Sequence, residues 1–327
     1  MKFVVPSSLD GERVDRAVAM LTELPRSIVG VMIDDGKVVI DGEPAKKSSQ
    51  KVDVDASIEL ELPQPKRESL KPDDEVDFEI KHVDDDVIVI NKPAGLTVHP
   101  GNGTHGSTLA NGLIARFPEL MERVPGNDPD RPGIVHRLDS TTSGLMVVAR
   151  TRSAHEKLVD ALSRHEVTRN YLALVWGAPK YEAGVVDAPV GRSSRDRTAM
   201  AVTQGGRPAK TLYRLVATAE LPEVSLLALG LETGRTHQIR VHMRALGNPV
   251  VGDSRYGGRR QTGMKAGGSG ANSLGLTRPF LHAYRLGFIH PTSGDYIQFD
   301  APLPDELSTV LAKLGLGLKE LPEGPQR

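Results

Sequence analysis

The sequence predicts an α+β protein of two domains, the larger built on a mixed, mostly antiparallel sheet. Three observations predict it. At 327 residues the chain is too long for one small core. Apolar strand-like runs, short amphipathic stretches and many turn residues interleave along it, the pattern of an α+β fold. A stretch without periodicity, from Pro63 to Asp74, separates residues 1–62 from residues 76–327 and reads as a linker over 63–75. With 39% apolar and 25% charged residues, both parts should fold as globular domains.

In the first part, Leu9, Val14, Ala17, Val18 and Leu21 form a helical stripe. Pro25 can open a second helix carrying Ile28, Val29 and Met32. Asp35-Gly36 ends it, Val38–Ile40 is a short strand, and Asp41-Gly42 is a hairpin turn signal. The second part opens with a strand at Val87–Ile90. A helix is expected over Leu109–Phe117, a strand over Gly144–Ala149, and a helix from Thr151 or Ser153 to about Arg164 with Ala154, Leu158, Ala161 and Leu162 inward. Strands follow at Tyr171–Gly177, Leu212–Thr218 and Val224–Leu231. Ile239, Met243 and Leu246 then mark a helix stopped by Gly247, with Arg240 and Arg244 sharing a different face. Residues 257–276 are Gly-rich and polar, a flexible insertion. Leu307–Leu318 is a short amphipathic helix, and the chain from Pro322 is expected to be disordered.

Composition excludes several functions. Without cysteine there is no disulfide and no cysteine-ligated zinc or iron–sulfur site, in keeping with a cytoplasmic protein. The apolar run at the start is too short for a signal peptide, and no stretch approaches the ~20 apolar residues of a membrane span. The net charge of −1 hides a segregation. Residues 71–90 hold two basic and eight acidic side chains, whereas 191–214 hold six and one, and 231–265 seven and two. Basic charge gathered in this way suits a surface that tracks phosphates.

The stretch His136–Arg150 carries the chemistry. His136, Arg137 and Asp139 precede a run of small hydroxylic residues and Gly144, a turn delivering the chain into a buried strand. For an arbitrary sequence, Arg beside Asp is more often a surface ion pair than a catalytic group. Downstream, Thr233-Gly234-Arg235 at a helix start suggests anion binding. Gly101-Asn-Gly-Thr-His-Gly106 fits a dinucleotide-binding spacing, but ten residues, two of them proline, part it from the strand end at Ile90, so no nucleotide cofactor is expected. His99 and His105 lack a third ligand nearby, and no metal is expected either.

The run His136-Arg-Leu-Asp-Ser-Thr-Thr-Ser-Gly-Leu145 resembles the signature of the RluA-type pseudouridine synthases, and the resemblance covers most of the chain after Val76. Further matches are Asn91–Gly101, Arg169-Asn170-Tyr171, Thr233–Arg240, Leu281–Ala283 and His290-Pro291. The resemblance implies a pseudouridine synthase catalytic domain that isomerises uridine in RNA without a cofactor. It implies Asp139 as the catalytic residue, Tyr171 against the target base, and Arg235 as the cation paired with Asp139. Arg137 would fill the space left by the extruded base, His136 would position neighbours at the RNA, and Arg240 would add to RNA binding. The first part is similar to a small α/β S4 RNA-binding module, through Arg13-Val14-Asp15, Arg26-Ser27 and Gly36-Lys37-Val38. Because residues 1–70 carry ten basic against thirteen acidic side chains, RNA contact there would need a local patch, with Arg26, Lys37, Lys46 and Lys47 as candidates. Such a module joined to Asn91–Gly101 looks most like the large-subunit synthase D subgroup, which implies ribosomal RNA as partner and a monomeric enzyme. Two rival classes are a catalytically silent S4-type RNA-binding or ribosome-assembly factor and a glycosidase; no second carboxylate stands out near Asp139 for the latter.

Overall fold

The computed structural model describes residues 1–22, 24–61, 70–101, 106–124, 130–257 and 274–325. Most of the expected linker, of the Gly101–Gly106 run and of the 257–276 insertion lies outside them. The chain divides into two compact units, Met1–Glu68 and Ser69–Arg327.

In the first unit, β1 (Lys2–Val4) leads through a single 3-10 turn to α1 (Val14–Thr22) and α2 (Arg26–Asp34). The helix expected from Leu9 starts only at Val14, because Gly11 takes a left-handed φ of 67° that breaks the helical path. β2 (Val38–Ile40), β3 (Glu43–Pro44) and β4 (Ser57–Leu60) complete an antiparallel sheet ordered β1-β4-β2-β3. Asp41 and Gly42, at φ 48° and 88°, make the turn joining β2 to β3, with the two positive φ values that type I′ requires. Val14, Ala17 and Val18 of α1 meet Val29, Met32 and Ile33 of α2 over Val38 and Ile58 of the sheet. Asp15 is the buried exception: its carboxylate accepts from Arg13 at 3.0 and 3.1 Å and from Arg26 at 2.7 Å.

The second unit begins with β5 (Glu79–Val83), β6 (Val87–Lys92), α3 (Leu109–Arg116) and α4 (Leu120–Arg123), then β7 (Ser143–Ala149) and α5 (Arg152–Ser163). β8 (Thr168–Trp176), β9 (Ala183–Asp187), β10 (Val190–Arg192) and β11 (Met200–Val202) follow, with β12 (Lys210–Glu220) and β13 (Glu223–Leu231). The remaining elements are α6 (Gln238–Leu246), β14 (Leu281–Ile289), β15 (Tyr296–Asp300) and α7 (Asp305–Lys313). Among the described residues, nine strands form one sheet in the order β5-β6-β7-β14-β8-β13-β12-β9, with β15 on β14. Every pairing in it is antiparallel except β7 with β14.

Side chains alternate between two covered faces, as strand geometry demands. Ile88, Ile90, Met146, Val148, Ala173, Val175, Leu227 and Leu229 point to α3 and to Ile239 and Met243 of α6. On the opposite face, Val87, Val89, Leu145 and Val147 meet Ala154 and Leu158 of α5, while Leu172, Leu174 and Leu226 meet Leu307 and Leu311 of α7. All seven residues of β7 are therefore buried. The parallel seam is narrow, His282 opposite Ser143 and Ala283 opposite Gly144. Gly144 has φ 122°, and a Cβ there would stand 2.3 Å from the Ala283 carbonyl oxygen, so only glycine fits. The expected C-terminal helix stops early, at Lys313, with Gly315 left-handed beyond it. The chain from Pro322 is held rather than loose up to residue 325: Tyr284 Oη donates to the Pro322 carbonyl at 2.9 Å and Arg214 Nη2 to that of Glu323 at 2.5 Å. No described helix is long and apolar enough to cross a membrane.

Candidate active site

Asp139 stands on the turn that enters β7, closed by the Thr142 N–H donating to its carbonyl at 3.0 Å. The turn is anchored from below by Lys92, the last residue of β6, which is fully buried. Its ammonium donates to the carbonyls of Pro93 at 2.7 Å, Leu96 at 2.8 Å and Ser140 at 3.2 Å, which uses all three of its protons. Burial pulls the Lys92 pKa down to about 7, against the attraction of Asp139. Lys92 thus ties the backbone of the Asp139 turn to the loop after β6.

The Asp139 carboxylate is about one-sixth exposed, 17%, at the floor of a cavity of about 530 Å³. Its Oδ2 accepts from Arg240 Nη1 at 3.2 Å. The rest of that guanidinium is held by Asp253, with Nε to Oδ2 at 2.7 Å and Nη2 to Oδ1 at 2.9 Å, a bidentate pair with Asp253 wholly buried. The paired carboxylates raise the Arg240 pKa above its ordinary value. His237 Nε2 approaches the same Asp139 oxygen at 4.0 Å. His237 precedes α6 at φ 56°, and Arg240 lies three residues on, so one helical face turns both side chains toward Asp139.

This corrects the pairing that the family resemblance implied. Arg235 does not reach Asp139. Its backbone N–H is taken by Gln238 Oε1 at 2.9 Å, and its Nε donates to the Pro208 carbonyl at 3.0 Å. Arg235 stands before the first turn of α6, outside the helical face that looks at the aspartate, while Arg240 lies on it. Arg240, expected at the RNA, is 8% exposed and is the cation paired with Asp139 instead. Gln238 itself is buried and saturated: Oε1 also accepts from Thr233 Oγ1 at 2.8 Å, and Nε2 donates to the Lys210 carbonyl and to Thr211 Oγ1.

Tyr171 of β8 lines the same cavity, buried, with its hydroxyl pushed up to about 12 by that burial. It meets any ligand as a neutral phenol. Arg169, two residues before it, donates to the Leu231 and Glu232 carbonyls at 3.3 and 2.9 Å. Arg131, Arg137, Arg169, Arg207 and Arg235 all line the cavity and make it cationic. Arg137 is exposed there, its Nη1 3.3 Å from His99 Nε2. His136, expected at the RNA, accepts the Val147 N–H on Nε2 at 3.1 Å, and burial depresses its pKa to about 3. It is a neutral brace between the turn and β7. Of the candidates in the first unit, Arg26 is engaged with Asp15, and Lys37 pairs with Asp35 at 3.2 Å. Lys46 and Lys47 are exposed.

Sequence reasoning missed Lys92, His237, Asp253 and Tyr256 as site residues. Asp253 and Tyr256 follow α6 in a loop whose local pattern carries no signal of a catalytic partner. Among the described residues, one metal-like cluster lies elsewhere, Asp84, Asp86 and His290. His290 Nδ1 accepts the N–H groups of Thr292 and Ser293 at 3.3 and 3.1 Å, which places the ring proton on Nε2, 3.2 Å from Asp84 Oδ2. That nitrogen has no lone pair for a metal, and the cluster is a hydrogen-bonded clamp.

Residues 86–245 match the sequence model of the RNA pseudouridylate synthase family. Over 312 residues the chain is 46% identical to an "Uncharacterized RNA pseudouridine synthase" of Chloroflexus aurantiacus, covering 95% of this chain and 92% of that protein. It is 42% identical over 312 residues to the "Ribosomal large subunit pseudouridine synthase D" of Vibrio parahaemolyticus, covering 95% and 93%. The solved structure of human RNA pseudouridylate synthase domain containing 4 superposes with a TM-score of 0.56 at 25% identity, over 74% of this chain and 95% of that one.

Proposed function

The chain belongs to the RNA pseudouridylate synthase family, and on that premise we propose that it converts uridine to pseudouridine in large-subunit ribosomal RNA, with Asp139 as the catalytic residue. The observation that carries the residue assignment is the Asp139 carboxylate, held by Arg240 through Oδ2 at the floor of an arginine-lined cavity. The substrate assignment rests on the likeness over almost the full chain to the synthase D of Vibrio parahaemolyticus. A ribosomal RNA substrate goes with a cytoplasmic enzyme.

The reaction is an isomerisation. The N1–C1′ bond breaks, the base turns, C5 bonds to C1′, and the C5 proton is lost as N1 gains one. Asp139 takes part as an anion, either attacking C1′ or removing the C2′ proton. Tyr171 supplies a flat wall for the base near C5, with its hydroxyl kept protonated by burial. The target nucleotide must leave its stack to reach the cavity, at a cost of a few kcal/mol. In this reading the cavity arginines bind its flanking phosphates, Arg137 occupies the vacated space, and the first unit serves as an S4-type RNA-binding module.

Asp139→Asn keeps the side-chain shape and removes the anion. The purified variant should release no tritium from C5-labelled uridine in RNA while still binding that RNA. Turnover at the wild-type level would sink the assignment of Asp139.

A further inference from the structure

His237 has a fixed protonation pattern that the isomerase reading leaves unused. Tyr256, 1% exposed, accepts the Met200 N–H on its hydroxyl oxygen at 2.9 Å. The same oxygen lies 2.8 Å from His237 Nδ1. A buried phenol O–H needs an acceptor, and His237 Nδ1 is the one within reach among the described residues. Tyr256 therefore donates to Nδ1, and the ring proton of neutral His237 sits on Nε2. Burial lowers the His237 pKa, against the pull of Asp139, and so favours the neutral ring. Tyr256 is fixed in turn: its N–H donates to Asp253 Oδ1 at 3.0 Å, and its ring lies 4.9 Å from the Arg240 guanidinium.

Resting on the isomerase reading, we propose that His237 is a positioning residue for Asp139: Tyr256 fixes its proton on Nε2, and this N–H becomes the second donor to Oδ2 when the cavity tightens around a nucleotide. Arg240 alone pins that oxygen at one point, and a carboxylate held by one donor can still pivot. Two donors on Oδ2 remove the pivot and leave Oδ1 facing the ribose. No described donor reaches Oδ1. The 4.0 Å gap is longer than a hydrogen bond, as catalytic contacts often are before substrate binds.

Two substitutions separate this role from a structural one. His237 lies in the left-handed region, which asparagine tolerates best, so a backbone role predicts that His237→Asn outperforms His237→Gln. Only glutamine places a nitrogen where Nε2 was. We expect His237→Gln to keep most of the wild-type kcat and His237→Asn to lose about tenfold in kcat with little change in KM, the weight of one hydrogen bond to a charged group. Nitrogen-15 NMR of the wild-type imidazole, assigned by its absence in His237→Gln, should show the proton on Nε2, and Tyr256→Phe should show a mixture of tautomers. A proton on Nδ1 in the wild type, or asparagine matching or exceeding glutamine, overturns the proposal. Turnover by Asp139→Asn run alongside would instead overturn the isomerase role of the site.

Discussion

Replacing Arg240 by methionine tests the two jobs that this guanidinium performs. Methionine keeps the length and apolar stem and removes every donor. Asp253 loses both of its Arg240 contacts, at 2.7 and 2.9 Å, and remains as an uncompensated charge with no exposure. Such a loss costs about 3–5 kcal/mol, which for a unit of this size lowers Tm by on the order of 10 °C. Asp139 loses one charge-assisted hydrogen bond at 3.2 Å, worth about 1.5–3 kcal/mol, so kcat should fall by roughly tenfold to a hundredfold. The double substitution Arg240→Met with Asp253→Asn separates the two effects. Asparagine can keep the Oδ1 bonds from the Arg255 and Tyr256 N–H groups, both 3.0 Å, and carries no charge. Thermal unfolding should recover by about 2 kcal/mol, while single-turnover rates stay at the Arg240→Met level. Recovery of rate with stability would show that Arg240 acts on the fold alone. An unchanged Tm in the single variant would refute the reasoning about the buried pair.

Arg137→Ala should slow single turnover on a structured RNA hairpin more than on an RNA whose target uridine is already unstacked, since opening the stack costs a few kcal/mol that an inserted guanidinium partly recovers; equal losses would move Arg137 to phosphate binding. Removing residues 1–68 should weaken affinity or target choice more than the chemical step, which filter binding and site mapping would separate. Asp15, held by Arg13 and Arg26, has its pKa lowered from 3.8 to about 2. A depressed carboxylate stabilises the fold above its unfolded pKa and loses that contribution as pH falls through the folded one, so the first unit should weaken between about pH 4 and pH 2. The loss is at most about 2 kcal/mol, because both arginines stand half in water, and acid unfolding of Asp15→Asn should lack it.

The elements legible in the sequence were those whose burial is periodic. The buried run after Gly144, the stripe of α5 with its Thr151 cap, and the apolar face of α6 with its Gly247 stop all follow from local pattern. Asp139 and Tyr171 were named through resemblance, and one cavity is lined by both although Asp139 lies on the turn before β7 and Tyr171 on β8. The partner of Asp139 was not. Choosing Arg240 over Arg235 needs the phase of α6 relative to the turn before β7, a tertiary fact. Arg240 is committed to Asp253, thirteen residues further along a loop with no periodicity. The small strands β9, β10 and β11 were missed too, since all their residues but Val190 are exposed or half-buried and carry little hydrophobic signal.

The narrow seam between β7 and β14 has a consequence for the order in which the protein is assembled. Asp139 and Lys92 belong to the half of the sheet that leaves the ribosome first. Tyr171, Arg240 and Asp253 come from the stretch after it, and β14, which joins the halves, is made more than a hundred residues after β7. Contacts of such sequence separation form late, because the loop between them must be closed first. No shorter nascent chain holds the strand that stitches β7 to β8, so the sheet can close only once β14 has been made. Gly144 is the stitch: its bare backbone lets Ala283 lie against it, and a methyl group there would keep the two halves from meeting.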